Sequence, residues 1–345
     1  MTITPDLDAR LTLYHAAQRK AVGFLLAHIN EDGSIGDPRR DIGYYRVPWA
    51  LAVAGEAAAG RRVLEWIRHH MLTAEGELAG DVSPNNGWNQ RNNTYAETCL
   101  AYGAHLLRQY EMAQQAMRYA LRFQNPASGG AYLDKTRCGP DGPQLLFLTC
   151  QLGMSALMTG HTQAARVVGG WLQALWDAQP ELPHRLYTIW TEAGGLATSV
   201  PPGGNRRHYI NESQEVYELH YNGGIAAACL AYLYLMTGEE QWLLLARSFQ
   251  GFSMQSTPRQ FETKQVCKSA WGSSLLWMIT GDAVYRDWTL RMGDWFVAEQ
   301  TEDGHWFNTP YLLPNPTLND NIQITAEFVV HLDHIMSAVG AALAR

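Results

Sequence analysis

The stretch between positions 190 and 222 holds the densest group of side chains that could transfer protons. Carboxylates, imidazoles and phenols lie here directly before a segment with helical periodicity, and burial can shift the pKa of such groups toward neutrality. A polar loop with solvated acids is the alternative interpretation. The stretch supplies the candidate catalytic residues Glu192, Glu215, Glu218 and His220 and the candidate substrate-binding residues Trp190, His208, Tyr221 and Asn222.

A further candidate catalytic acid is Glu97, the single carboxylate in an otherwise apolar helical segment. Such an acid would face either a cavity or a buried partner. Side chains just before or just inside other helical segments could complete the walls of a substrate pocket, although the aromatic ones could equally serve ordinary packing. These substrate-binding candidates are Tyr44, Arg46, Trp49, Trp88, Asn93, Lys268, Trp271, Trp306 and Asp320.

Glu327, His331 and His334 are spaced i, i+4 and i+7, which places them on one face of a helix. Metal binding would require neutral imidazoles and further ligands, so we expect a hydrogen-bonded or solvated ladder and no metal. Whether the three residues bind anything else stays open. Cys267 has no identifiable histidine partner in the sequence, which is typical of a structural cysteine.

Several sequence motifs that bind cofactors or mark hydrolases do not occur in the chain. There is no P-loop, no GxGxxG, no GxSxG and no HExxH string. We therefore expect no cofactor, and neither nucleotide-dependent transfer nor serine hydrolase chemistry has support.

About twelve segments with helical periodicity must position these residues. Clusters of glycine, proline and asparagine separate them, and clean alternation of the strand type is scarce. Strands are therefore expected to be few and confined to loops. The helical segments are 11–29, 47–58, 61–72, 94–108, 111–124, 144–158, 162–178, 223–236, 241–254, 269–279, 283–300 and 322–344.

The connections between these segments alternate between short and long. In short turns such as Thr237-Gly238-Glu239, an apolar helix ends and glycine takes the left-handed cap position. Six hairpins with short turns on one face and long loops on the other predict an all-α fold, an (α/α)6 toroid with inner and outer rings. An open solenoid is the alternative, but solenoids normally have uniformly short loops. No linker divides the chain, so positions 1–345 are expected to form one domain.

The composition limits the classes of partner. The chain has 345 residues, of which 46% are apolar and 17% charged, and its formal net charge is -7. Such a surface repels phosphate backbones, which excludes nucleic acid as the natural partner and favours a neutral, apolar or carbohydrate-like small molecule. We also expect no membrane span, because polar residues interrupt every apolar run. The five cysteines without CxxC spacing and the absence of a signal-peptide pattern predict a cytoplasmic protein.

One segment carries a family resemblance. In positions 291–306 a basic residue, Arg291, precedes Trp295, and Gln300, Gly304 and Trp306 follow at fixed spacing. This pattern resembles the QW repeat of squalene and oxidosqualene cyclases, and positions 20–35 keep the same frame. The resemblance implies the toroid fold of the terpenoid cyclase and protein prenyltransferase-like superfamily. It also implies a structural role, in which the Gln satisfies backbone groups at a helix end and the Trp packs across the turn.

The catalytic motifs of that superfamily do not accompany the resemblance. The sequence has no DxDD, no DDxxD and no Asp-x-Cys zinc motif, so no catalytic residue of those enzymes maps onto this chain. A second stretch, positions 221–239, is similar to the inner-helix and turn pattern of sugar-active (α/α)6 barrels, which include epimerases, glycosidases and lyases.

Three functional hypotheses follow. The first is a metal-independent cyclase or isomerase that acts by general acid–base catalysis on a hydrophobic terpenoid- or polyketide-like substrate in an aromatic cavity. The second is a carbohydrate-active enzyme, and the third is a non-catalytic toroid that binds a ligand. The cavity walls discriminate between the two enzymes. An apolar wall with one isolated acid favours the cyclase, whereas several amide, arginine and histidine side chains favour sugar chemistry. The sequence does not predict the oligomeric state.

Overall fold

A computed structural model describes residues 6–38, 45–78, 93–308 and 315–345. The candidates Tyr44 and Trp88 lie outside these ranges. Within them the helices are α1 (Leu7–Ala27), α2 (Val47–Val53), α3 (Ala57–His70), α4 (Tyr95–Leu106), α5 (Tyr110–Leu121), α6 (Leu146–Met158), α7 (Thr162–Asp177), α8 (Arg206–Tyr209), α9 (Tyr221–Thr237), α10 (Glu240–Gln255), α11 (Ser269–Thr280), α12 (Ala283–Ala298) and α13 (Leu318–Leu343).

Six of these helices close into an inner ring. Helices α2, α4, α6, α9, α11 and α13 each pack against the next, and α13 packs back against α2. Helices α1, α3, α5, α7, α10 and α12 form the outer ring, each paired with an inner helix. The predicted all-α, (α/α)6 toroid is therefore confirmed.

The two rings differ in sequence for a physical reason. Inner helices such as α6 and α9 are buried on nearly every side and carry no charged side chain. Outer helices such as α3, α5 and α7 bury only one stripe, and their other face is polar. A helix that is apolar all round belongs in a core, and an amphipathic helix belongs at its surface.

Short strands occur only in the connections of the described chain. They are β1 (Gln144–Leu145), β2 (Arg185–Tyr187), β3 (Ile189–Thr191), β4 (Gly195–Leu196) and β5 (Ile210–Glu212). Strand β3 pairs antiparallel with both β1 and β4, placing Gln144 opposite Trp190, and β2 pairs antiparallel with β5, placing Leu186 opposite Asn211. The scarcity of strands and their confinement to loops agree with the sequence prediction.

Two helices begin earlier than expected because side-chain caps extend them toward the N-terminus. The last helix was expected from position 322, but it begins at Leu318 because Thr317 and Asp320 form a capping box. The first helix begins four residues earlier than expected, where the Asp6 side chain accepts from the Ala9 backbone N–H. The four-residue helix α8 was not predicted. The expected glycine caps are present, with Gly238 and Gly281 in the left-handed conformation.

Helix α13 is the one described helix long and apolar enough to cross a membrane by length and composition. It is also an inner helix of the ring, and 61% of its most apolar window is buried inside the protein. Its apolar character therefore reflects its position in the core.

The exit of α12 ties the last outer helix to the first. Gln300 Nε2 donates to the Ala17 carbonyl at 2.9 Å and to the Gly304 carbonyl at 2.8 Å. Gly304 has φ +96°, and a Cβ at this position would lie 2.5 Å from the Lys20 carbonyl oxygen. Trp306 is fully buried and donates its indole N–H to the Phe296 carbonyl. These contacts hold the two chain ends together in the ring.

Gly304→Ala is expected to lower the free energy of unfolding by about 1–3 kcal/mol, because the left-handed backbone and the close α1 backbone both oppose a Cβ. Gly340→Ala is the matched control, since an added Cβ inside α13 meets no atom within 4 Å. There alanine should be neutral or stabilising by up to about 1 kcal/mol. Urea denaturation measures both, and equal effects of the two substitutions would contradict this account.

Candidate functional site

The first turns of three inner helices and the middle of α13 line a small cavity inside the ring. Arg46 directly precedes α2, Tyr95 is the first residue of α4, and Lys268 directly precedes α11. The cavity measures about 20 Å³, which is room for about one water molecule. It is lined by Arg46, Trp49, Tyr95, Cys99, Gln151, Lys268, Trp271, Glu327, Val330 and His331.

Glu327 pairs with two cations through its two carboxylate oxygens. Oε1 accepts a hydrogen bond from Lys268 Nζ, and Oε2 pairs with Arg46 Nη1. Arg46 Nη2 also donates to the Tyr95 hydroxyl at 3.1 Å. No more than 7% of any of the three charged residues is exposed. We call Arg46, Lys268 and Glu327 the ion cluster.

The members of the ion cluster keep one another charged. Burial by itself would raise the pKa of Glu327, but the charges of Arg46 and Lys268 outweigh it and hold that pKa well below its ordinary value. Burial would lower the pKa of Lys268, yet Cys267 and Glu327 outweigh it and raise that pKa. Glu327 is therefore a carboxylate at neutral pH, unable to serve as a proton-donating acid.

His331 lies one helical turn after Glu327 and is the neutral base of the cavity. Burial lowers the pKa of its imidazole, so the ring is uncharged at neutral pH. Its Nε2 lies 3.5 Å from Glu327 Oε1, and within the described chain neither Nδ1 nor Nε2 has a hydrogen-bond partner. A carboxylate beside Nε2 favours the tautomer with its proton on that nitrogen, which leaves a lone pair on Nδ1.

Two tryptophans form the aromatic part of the cavity wall. Trp49 stacks on Tyr102 with ring centroids 4.1 Å apart and meets Trp271 edge-on at 5.6 Å. Trp271 stacks on His334 at 4.8 Å and donates its indole N–H to the Tyr232 hydroxyl at 3.3 Å. Contacts with neighbouring rings hold both tryptophans in place, so the cavity has an apolar part of its wall in addition to its charged groups.

A metal ion fits this site poorly. Among the described residues, Cys267, Glu327 and His331 bring ligand-type atoms within 4.8 Å of one another. However, both oxygens of Glu327 already bind cations, and burial raises the pKa of the Cys267 thiol to about 12. A metal ligand must be deprotonated, and two neighbouring positive charges oppose a third.

The cavity brings together four of the predicted substrate-binding residues. Arg46, Trp49, Lys268 and Trp271 all line it. Two residues of the helix face at positions 327–334 line it as well, and they supply its carboxylate and its imidazole. Tyr221 is close by, because Lys268 Nζ lies 4.7 Å from the centre of its ring.

Four lining residues were missed from the sequence. Gln151 is a single amide in the apolar helix α6. It therefore has the same sequence signal as Glu97, a lone polar side chain in an apolar helical segment. Tyr95 and Cys99 are spaced i, i+4 at the start of α4, which puts them on one face. Val330 carries no signal that distinguishes it from ordinary core residues.

Glu218 and His220 occupy a separate polar cluster. Glu218 is paired with Arg206 at 2.6 Å, and burial raises its pKa despite that cation. His220 Nε2 donates to the Glu215 carbonyl at 3.0 Å, and burial lowers the pKa of the ring to about 4. The Glu215 side chain is exposed. None of these groups lines the described cavity.

The remaining candidates have mainly local contacts. Glu192 accepts from Asn125 Nδ2 at 2.8 Å, and the Asn93 side chain accepts from the Tyr95 backbone N–H at 3.1 Å. Asp320 belongs to the cap of α13, Trp306 to the α12 exit and Trp190 to strand β3. Asn222 is buried at the start of α9, and the His208 ring lies 6.4 Å from that of Phe147.

Glu97 is a buried acid outside the cavity. It follows Tyr95 by two positions, so it lies on a different face of α4. Its Oε1 accepts from the Leu78 backbone N–H at 3.2 Å and lies 3.9 Å from Lys135 Nζ. Burial raises the pKa of this carboxyl group, with Lys135 opposing the shift.

Comparisons with known proteins show the fold. No protein-family model and no curated protein sequence matches the chain. A D-mannose isomerase structure is similar with TM-score 0.66 and 13% identity, covering 97% of this chain and 100% of that one. The type II terpene cyclase MstE from Scytonema is similar with TM-score 0.61 and 16% identity, covering 96% and 99%. A family 76 glycoside hydrolase from a bovine Bacteroides thetaiotaomicron strain has TM-score 0.62 and 14% identity, covering 96% and 78%.

The fold is thus shared by enzymes that act on sugars and by enzymes that cyclise terpenes. At sequence identities this low, the structural similarity shows the α/α toroid fold and does not indicate the substrate. The chemistry must be argued from the cavity.

Glu327→Gln is expected to lower the free energy of unfolding by about 3–5 kcal/mol, because it leaves two buried cations without their carboxylate. Glu65→Gln, at an exposed glutamate on α3, is the matched control and should have no measurable effect. Chemical denaturation at pH 7 measures both. A Glu327→Gln protein as stable as the parent would show that the ion cluster does not hold the helices together.

The free energy of unfolding is expected to decrease as the pH is lowered from about 6.5 to 4. Burial lowers the folded-state pKa of His220 to about 4 and that of His334 to about 3, so in this range only the unfolded chain gains protons on these rings. His220 alone should cost about 3 kcal/mol by pH 4. In denaturation at pH 7 and pH 4.5, His220→Gln should reduce the pH dependence relative to the exposed control His15→Gln. An unchanged dependence would contradict the assignment.

Proposed function

We propose that the chain is a metal-independent isomerase that moves a proton between neighbouring carbons of a polyhydroxylated aldehyde or ketone. The observation that carries this proposal is the neutral His331, which lines the central cavity beside the Glu327 carboxylate and the Lys268 ammonium group. Such a reaction requires a base, a group that stabilises the protonated base and a cation that stabilises the developing oxyanion.

His331, Lys268 and Glu327 each have a separate role in the proposed proton transfer. His331 Nδ1 removes the proton from the hydroxyl-bearing carbon next to the carbonyl, and the electron pair moves to the carbonyl oxygen to give an enediolate. Lys268 donates a hydrogen bond to that oxygen, while Glu327 stabilises the imidazolium. The hydroxyl proton passes to the first oxygen as the second carbonyl forms, and His331 returns its proton to the neighbouring carbon. The proton count is unchanged, as an isomerisation requires.

The walls of the cavity favour sugar chemistry over terpene cyclisation. Cyclisation of a polyene by a carboxylic acid needs a protonated acid and develops positive charge on the substrate. Glu327 is held ionised, and the buried cations Arg46 and Lys268 would raise the energy of a carbocation beside them. Gln151, Arg46 and His331 instead offer the hydrogen bonds that hydroxyl groups require.

The size of the cavity fits this assignment if only the reacting end of the substrate enters it. Room for about one water molecule admits little more than the carbonyl oxygen of the substrate, so the remaining atoms would extend toward the N-terminal ends of the inner helices. The likeness to a D-mannose isomerase supports the proposal as a precedent for this reaction class on the same fold.

Incubation with a panel of aldoses, ketoses and hexuronates in D2O tests the proposal. We expect interconversion of at least one aldose–ketose pair with solvent deuterium at the exchanged carbon, insensitive to EDTA. His331→Gln should lower kcat/KM by about 10²–10⁴, the usual contribution of a general base. The exposed control His15→Gln should retain full activity.

Two results would overturn the proposal. One is the absence of deuterium incorporation into every member of the panel. The other is full activity of a His331→Gln protein that unfolds at the parent temperature. Turnover of a polyene by the parent protein would favour the cyclase instead.

A further inference from the structure

The ion cluster is not charge-balanced. It contains two cations and one carboxylate, so it carries a net charge of +1 in a buried site. Three neighbouring ionisable groups are neutral at physiological pH, because burial lowers the pKa of His331 and raises those of Tyr95 and Cys267. In the described structure, no second acid pairs with either cation.

The surrounding backbone adds to this imbalance. Lys268 is the residue directly before the 12-residue helix α11, where the helix dipole places positive partial charge. An uncompensated buried charge costs several kcal/mol, and the cost is relieved when a ligand supplies the opposite charge. The cavity therefore favours a ligand with a negative group.

The two carboxylate oxygens of Glu327 contact different groups, one in the proposed reacting part of the cavity and one in the proposed binding part. Oε1 contacts Lys268 and lies near His331, which are the groups proposed to react, whereas Oε2 contacts Arg46. A guanidinium has five N–H bonds, and contacts to Glu327 and Tyr95 use only its Nη1 and Nη2 groups. Arg46 retains donors of the kind that bind a carboxylate.

We propose that the substrate of the central cavity is a sugar acid, whose single carboxylate is held by Arg46. The inference rests on the proposed function and adds the charge of the substrate to it. One carboxylate balances the net charge of +1, whereas a phosphate monoester would bring up to two negative charges and a larger group into a cavity of about 20 Å³.

Binding of gluconate and glucitol tests this inference, because the two polyols differ at one carbon, where gluconate has a carboxylate and glucitol a hydroxymethyl group. By calorimetry at pH 7 we expect gluconate to bind the parent protein at least about tenfold more tightly. Arg46→Gln should reduce the preference to less than about threefold, since Lys268 and Glu327 then balance each other. Arg46→Lys should retain part of it, and Arg10→Gln, at an exposed pair on the outer ring, should retain all of it.

Equal affinities of gluconate and glucitol for the parent protein would overturn the inference, whether or not the variants fold. Tighter binding of inorganic phosphate than of gluconate would also overturn it, because the site would then be a phosphate site. An unchanged preference in a folded Arg46→Gln protein would show that another residue holds the carboxylate. A preference for gluconate without any isomerase activity would support the sugar-acid inference and contradict the proposed isomerase function. The failure of one proposal can therefore be distinguished from the failure of the other.

Discussion

The structure depends on the Glu327 carboxylate, which lies between Arg46 and Lys268. Through it, the last inner helix α13 is joined to the starts of α2 and α11, the two inner helices that flank it in the ring. Apolar packing supplies most of the stability of such a core but has little direction. A buried carboxylate with two charged partners has only a few acceptable geometries, so it fixes where three helices stand around the cavity.

The same interaction determines what the cavity can do. Because Glu327 stays ionised, it cannot donate a proton, but it can orient His331 and stabilise the imidazolium that forms during proton transfer. The aromatic wall of Trp49 and Trp271 would suit a terpene or a sugar equally well. The charged groups of the cavity make the difference, since they favour an anionic intermediate and oppose a cationic one.

Much of the fold could be predicted from the sequence because its signals are local. Alternating short and long connections, with glycine caps at turns such as Gly238, are enough to indicate helical hairpins. Arg46, Trp49, Lys268 and Trp271 were found because residues at the starts of inner helices surround the mouth of a toroid. The pairing of Glu327 with Arg46 and Lys268 was not predicted, because the three residues are distant in sequence and no local pattern links them. Glu97 was predicted to be catalytic because it is the single carboxylate of an apolar helical segment, but a shift of two positions from Tyr95 turns it away from the cavity.

The most direct measurement is nitrogen-15 NMR of the histidine side chains at pH 7, with His331 assigned from the spectrum of His331→Gln. We expect a neutral His331 ring with a pKa below the ordinary value, because burial disfavours the charged ring. We expect its proton on Nε2, because that nitrogen lies beside the Glu327 carboxylate. In Glu327→Gln the preference for that tautomer should weaken. A His331 ring that is protonated at pH 7, or that carries its proton on Nδ1, would contradict the role of the ion cluster.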